Sequence, residues 1–289
     1  MARYSRRTLR PCSCRDECKS RMSRTVMITG AAGGLGRAIA EEFRARGDHL
    51  VLTDRSRELS ALHASSVAEL INADLCDDED LQRLCARLES GEPAIDLLIN
   101  NAGIGVPGSV SALDAALLTK HIDINLTAPM RLCQAAARGM LNRGGGQIFN
   151  IVSLAGLFPL KDSAAYTASK FGLRGFTAAL ALELAPHGIS VGGLYPSAID
   201  TPMLREEMSH PDGSPLNFAG SADPLSSEAT AKWAMDALAS GNLETWLPKS
   251  EGRMASIVMT FPTSLQRVFR YMEKQGNKKK QIYLASLHT

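Results

Sequence analysis

No apolar run in the sequence reaches the roughly 18 residues that a membrane span requires. No apolar stretch follows the N-terminal arginines, as a secretory signal would demand. The chain has no internal repeat and no linker that would set off a second fold. Cysteine is sparse: Cys12, Cys14 and Cys18 stand near the start, and Cys76, Cys85 and Cys133 are scattered beyond. That spread excludes a disulfide framework and reads as reduced thiols in a cytoplasmic protein. The early trio has no Cys or His pair nearby to complete a ligand set, so no metal is expected. Charge of one sign is lacking too, since the formal net charge is only +2. Residues 1–24 hold eight Arg or Lys against two acids, a surplus of six, which leaves the remainder at −4. A mildly acidic body gives no support for nucleic-acid binding.

What is present is the profile of a globular protein, with 45% hydrophobic and 21% charged residues. Residues 1–23 read as a basic, disordered leader, with Met22 a natural alternative initiator. Residues 24–250 read as one catalytic domain, and residues 251–289 as an amphipathic helical extension with a basic tail. Within 25–250, short apolar strands alternate with helical patterns. The strands are Thr25–Thr29, His49–Thr53, Val67–Ala73, Ile95–Ile99, Gln147–Val152, Ile189–Tyr195 and Leu243–Leu247. The helices are Arg37–Arg46, Asp77–Glu89, Ala112–Arg143 as one long helix or a broken pair, Ala164–Leu184, and one from Ser226 or Ser227 to Ser240. This alternation predicts an α/β fold: a single doubly wound parallel sheet (Rossmann fold) of about seven strands, with helices on both faces and the ligand at the carboxyl ends of the strands. Residues 204–225, rich in Gly, Pro, Ser and acids, read as a mobile lid.

Chemistry concentrates at those carboxyl ends. Gly30-Ala31-Ala32-Gly33-Gly34-Leu35-Gly36 lies between the first strand and the first helix. Small residues there let the backbone approach a pyrophosphate, whose charge the helix N-terminus stabilises. Asp54 ends the second strand, 18 residues beyond Gly36, where a carboxylate accepts from ribose hydroxyls and repels a 2′-phosphate. Arg55 pulls the other way, toward NADP, and the balance favours NAD. Asp74-Leu75 ends the third strand; Asp74 either reaches the adenine amino group or caps the next helix. Asn100-Asn101-Ala102-Gly103 is a small polar turn that packs beside a flat cofactor or simply closes a strand. Asn125, among Ile122, Ile124 and Leu126, must find partners if buried, as a structural node or as part of a proton path.

The stretch Ser153–Lys170 is the chemical centre. Tyr166 and Lys170 are four apart and share a helix face, so an ammonium beside the phenol should lower its pKa from about 10. Ser153 ends the preceding strand and can point at the same spot. A lone Tyr-x-x-x-Lys is commonly no more than a surface pair, and the rest of the chain supplies the context that makes it a site.

Thr29-Gly30-x-x-x-Gly34-x-Gly36, Asp74, Asn100-Asn101-Ala102-Gly103, Asn125, Ser153 and Tyr166-x-x-x-Lys170 together resemble, in order, the motifs of the short-chain dehydrogenase/reductase family. The resemblance spans roughly residues 24–245. It implies an NAD(P)-dependent oxidoreductase that moves a hydride between nicotinamide and a secondary alcohol or ketone. Tyr166 would be the general acid/base, Lys170 would lower its pKa and bond the nicotinamide ribose, Ser153 would hold the substrate oxygen, and Asn125 would hold a water linking Lys170 to solvent. Gly30, Gly34, Leu35, Gly36, Asp54, Arg55, Asp74, Leu75, Asn101, Ala102, Gly103, Pro196, Ile199 and Thr201 would line the cofactor, with Thr201 at its carboxamide. Pro196-Ser197 replaces the family's usual Pro-Gly and adds bulk beside the nicotinamide.

The C-terminus departs as well. Met254, Ile257, Val258, Phe261, Leu265, Val268, Phe269 and Met272 recur at helical spacing, broken at Pro262, with Lys278-Lys279-Lys280 following. They form a helix packed on the domain or on a second subunit, an apolar rim over the substrate cleft, or a membrane-surface helix. With Leu154, Leu157, Phe158 and Leu160 as pocket candidates, an apolar, lipid-like alcohol or ketone is the expected substrate. A homodimer or homotetramer is the expected assembly. The alternatives are an NADPH-dependent 3-oxoacyl-thioester reductase and a non-catalytic dinucleotide sensor.

Overall fold

Thr25–Thr29 is buried along its whole length, and so is Leu97–Asn100. Strands with both faces covered belong at the centre of a parallel sheet. The computed structural model, which describes residues 23–56, 59–62, 68–218, 223–261 and 265–287, places them there. Seven strands, β1 (Thr25–Thr29), β2 (His49–Asp54), β3 (Ala68–Asn72), β4 (Leu97–Asn100), β5 (Gly146–Ile151), β6 (Ile189–Pro196) and β7 (Glu244–Leu247), form one sheet in the order β3-β2-β1-β4-β5-β6-β7. Every pairing is parallel. The strand order reverses between β1 and β4, which opens a crevice at their carboxyl ends.

Among the described residues the helices are α1 (Gly34–Arg44), α2 (Leu59–Leu62), α3 (Asp78–Ser90), α4 (Ala115–Ile122), α5 (Ala128–Arg143), α6 (Ala164–Leu184), α7 (Pro202–Ser209), α8 (Ser227–Ser240), α9 (Lys249–Thr260) and α10 (Leu265–Ser286). Helices α1 and α8 cover one face with Ile39, Phe43, Ala234 and Met235. Helices α3, α5 and α6 cover the other with Leu84, Leu88, Leu132, Met140 and Leu184. Each such side chain contributes about 1.5–3 kcal/mol when fully buried. The expected fold is therefore present. Residues 1–22, Val67 and Pro262 lie outside the described residues.

Three segments differ from their sequence reading. The pattern over 112–143 is neither one plain helix nor a broken pair. A π-turn, Asp123–Thr127, joins α4 to α5, with Ala128 N–H donating to Asp123 O. Such insertions locally widen a helix, and here the turn carries the fully buried Asn125. Residues 204–225 are not simply irregular. Thr201 caps α7 by accepting from Leu204 N–H, Pro202 occupies the first turn, and Leu204 and Met208, one turn apart, pack against Tyr283 and Leu284. Asp200 and Arg205 form an ion pair at its start.

The third segment is the C-terminus. Lys278-Lys279-Lys280 lie inside α10 rather than in a tail, because that helix has partners along its length. Phe269 stacks on Phe158 with centroids 4.8 Å apart. Glu273 pairs with Lys161 at 2.6 Å. Lys280 Nζ donates to Gly213 O at 2.6 Å, and Tyr283 Oη to Asp200 Oδ1 at 2.9 Å. Gly276 meets the turn Pro215–Phe218 so closely that any Cβ there would overlap the Pro215 carbonyl. No helix among the described residues is long and apolar enough to cross a membrane.

Candidate active site

The glycine turn is held open by its neighbours. Gly30 takes a left-handed φ of +67°, which costs a residue without Cβ nothing. Thr29 Oγ1 accepts from the backbone N–H groups of Asn101 and Ala102, and Asn101 Nδ2 donates to the carbonyls of Thr29 and Gly30. The β1 and β4 turns are thereby fastened to each other. A Cβ on Gly36 would overlap the Gly30 carbonyl. Gly33 precedes α1 with no side-chain cap, and the first turn of α1 carries no acid. Its free N–H groups and helix dipole face the cleft as an anion cradle.

Asp54 Oδ2 accepts from Ala32 N–H at 3.0 Å, and Oδ1 from Ser56 N–H at 2.9 Å. Each oxygen keeps lone-pair capacity for a further donor. Asp77, not Asp74, caps α3. Asp74 accepts from Cys76 N–H and lines the cleft with Leu75. Uncapped helix N-terminus, Cβ-free floor and terminal carboxylate together fit a dinucleotide.

The same cleft, of about 420 Å³, runs on to Ser153, Tyr166 and Lys170. Ser153 leaves β5 and accepts from Ala155 N–H at 3.0 Å. Its hydroxyl faces the Tyr166 phenol, an influence that favours phenolate. Lys170 lies one turn along α6. It is buried, donates to Ile151 O at 3.2 Å, and sits 5.8 Å from the Tyr166 ring centroid. Burial sets the electrostatics. It pushes Tyr166 up to about 12, with the Ser153 hydroxyl opposing and the Glu207 charge adding to the rise. It pushes Lys170 down to about 8. The expectation that Lys170 brings the phenol below its ordinary value is corrected: desolvation disfavours both charged forms, and the ammonium is bonded to a strand carbonyl.

Every residue expected at the cofactor or at the chemistry lines this cleft except Asn125. Asn125 stands behind the wall. Its Nδ2 donates to Ile104 O and Ser169 Oγ, and its Oδ1 accepts from Ile104 N–H. Of the pocket candidates, Leu154, Phe158 and Leu160 line the cleft. Leu157 does not; it turns into a core cluster with Leu173 and Tyr195. Sequence reasoning missed Met203, Glu207, Leu216, Asn217 and Glu251, which also line it. The Thr201-Pro202 helix start was the signal available for the first two. Helices α9 and α10 contribute Met254, Val258 and Met272, so the extension forms an apolar rim over the cleft while packed on its own domain.

Residues 24–212 match the family model described as short chain dehydrogenase. The chain belongs to that family. An NAD-dependent glycerol dehydrogenase of Listeria innocua is 32% identical over 181 residues, 62% of this chain and 71% of that protein. A 3beta-hydroxysteroid dehydrogenase of Eggerthella lenta is 31% identical over 225 residues, 73% of this chain and 85% of that protein. Among solved structures, a short-chain dehydrogenase from Sphingobium yanoikuyae in complex with NADPH superposes with a TM-score of 0.72 at 30% identity, covering 84% of this chain and 95% of that one. As a short-chain dehydrogenase the chain is an NAD(P)-dependent oxidoreductase of the alcohol/ketone class.

Proposed function

We propose that this short-chain dehydrogenase interconverts a secondary alcohol and a ketone with a largely apolar body, using NAD in preference to NADP. The observation that carries the reading is one continuous cleft in which Ser153, Tyr166 and Lys170 follow directly on the glycine cradle. Bound nicotinamide would supply or accept the hydride. Gly30, Gly34 and Gly36 would let the backbone reach the pyrophosphate, Asp54 and Asp74 would hold the adenosine end, and Pro196, Ile199 and Thr201 would border the nicotinamide.

Ser153 donates to the substrate oxygen and polarises the carbonyl. Tyr166, a phenol at neutral pH with its pKa near 12, delivers the proton to that oxygen. The Lys170 ammonium, charged below about pH 8, stabilises the phenolate that results. Asn125 keeps the Gly103–Ile104 turn beside Lys170 through its bonds to Ile104.

The apolar preference is supported by Leu154, Phe158, Leu216, Met254, Val258 and Met272 around the substrate end. The NAD preference is supported by the Asp54 carboxylate at the ribose position, which also weighs against the NADPH-dependent thioester reductase. A cytoplasmic homo-oligomer completes the proposal. The test is Tyr166→Phe. Turnover of ketones should fall by at least about 10³-fold while dinucleotide affinity stays within about twofold. Retained turnover in this variant removes Tyr166 from the proton step.

A further inference from the structure

The substrate end of the cleft is not uniformly apolar. Glu207, on α7, and Asn217, on the turn Pro215–Phe218, both line it. Asn217 Nδ2 donates to Glu207 Oε1 at 2.6 Å. That bond uses one of the two N–H donors of Asn217 Nδ2. Glu207 Oε2 and Asn217 Oδ1 take no hydrogen bond from any described residue. No basic side chain among the described residues forms an ion pair with Glu207. What the two residues offer is therefore acceptor-rich: two oxygens, one of them on a carboxylate, against a single remaining amide N–H.

Resting on the alcohol/ketone reading above, we propose that Glu207 and Asn217 form a polar pole of the substrate pocket that selects an apolar alcohol or ketone bearing a second, hydrogen-bond-donating group, a hydroxyl or an ammonium. A carboxylate in a cavity that Leu204, Leu216 and Met272 also line is costly to leave without a donor. Burial accordingly lifts the Glu207 carboxyl to about 7, opposed by the Asn217 bond and by the charge of Lys280. A substrate donor returns the hydration this carboxylate lacks. A substrate carrying an anion at this pole meets repulsion instead, since Glu251 of α9 lines the same cavity, whereas the cations that line it, Arg55 and Lys170, stand after β2 and beside Tyr166. Lys280 stands behind, with its Nζ on the Gly213 carbonyl. The pole stands on other elements than the proton machinery, although the Glu207 charge reaches Tyr166: α7 and the Pro215–Phe218 turn carry it, and α10 holds both in place through Gly276 and Lys280.

The experiment uses the full chain and reads reduced-nicotinamide absorbance with methyl ketones of graded chain length, ending in methyl, hydroxyl, primary amine or carboxylate. At one chain length or more, the hydroxyl- or amine-ended ketone should exceed its methyl-ended partner in kcat/KM by about tenfold, the worth of a charge-assisted hydrogen bond. The carboxylate-ended ketone should be the poorest. In Glu207→Gln the donor-to-methyl ratio should collapse by about tenfold and the carboxylate penalty should relax; Asn217→Leu should lower the ratio in the same direction. A wild-type protein that favours the methyl-ended ketone at every length overturns the proposal without needing either variant. So does an unchanged ratio in Glu207→Gln that still binds dinucleotide. Failure to turn over any ketone or corresponding alcohol with either dinucleotide overturns the oxidoreductase reading, and the polar pole falls with it.

Discussion

Lys170→Met should stabilise the protein while removing its activity. The Lys170 ammonium is 5% exposed, and burial lowers its pKa from 10.5 to about 8. At about 1.4 kcal/mol per pK unit, holding it charged in the fold costs about 3 kcal/mol at pH 7. Methionine fills a similar length with no charge to desolvate, but it gives up the bond to Ile151 O, worth about 1 kcal/mol. The net gain is about 2 kcal/mol, which raises Tm by roughly 4 °C in a protein of this size. The pH dependence has a definite sign. Below about pH 8 the amine is protonated in both folded and unfolded chains, so the whole cost is present. Between about 8 and 10.5 the unfolded chain binds more protons than the folded one, and wild-type stability gains on the variant as pH rises. Thermal melts of both proteins without added dinucleotide, at neutral pH and near pH 10, measure this. A variant that melts at or below wild type at neutral pH, or an offset that does not shrink near pH 10, refutes the account of Lys170 as an ammonium held against its solvation.

Asp54→Ala should lower the NAD-to-NADP ratio of kcat/KM by about tenfold or more, because the carboxylate that repels a 2′-phosphate is gone; the ratio is read from initial rates with each dinucleotide. Gly36→Ala should weaken dinucleotide binding at least about 100-fold, since its Cβ overlaps the Gly30 carbonyl, and calorimetric titration measures the loss. Gly276→Ala should force α10 off the Pro215 carbonyl. Overpacking of this kind costs about 1–3 kcal/mol, so Tm should fall by a few degrees and KM for ketones should rise, with dinucleotide affinity unchanged.

How much of this was legible depended on the range of the interactions involved. Helix α6 runs from Ala164 to Leu184 as its periodicity predicts, and β1 keeps its sequence bounds, because local pattern and burial agree there. The cradle and the Ser153–Tyr166–Lys170 group were legible because their residue types are set by local needs: absence of a Cβ at Gly36, one helical turn between phenol and amine. The π-turn at Asn125 was not, since its partners Ile104 and Ser169 lie 21 and 44 residues away. The sign of the Tyr166 shift was not legible either. Proximity to Lys170 is readable from spacing, whereas the desolvation that outweighs it is a property of the packed cleft. Helix α7 was hidden by its polar composition, although Thr201-Pro202 announces its start. Glu207 and Asn217 belong to the same blind spot.

The place of α10 in the chain orders the appearance of function during synthesis. Residues 24–200 bring out the cradle, Asp54 and, on α6, the residues proposed for proton transfer, together with strands β1 to β6. Met272, Gly276 and Lys280, which close the substrate wall and brace the turn carrying Asn217, emerge roughly 70 residues later, several seconds at ribosomal speed. Helix α10 thus adds its part of the substrate wall to a cleft whose other walls precede it in the chain. The residues proposed to hold the dinucleotide and those proposed to select the substrate are therefore separated in the order of synthesis as well as in space.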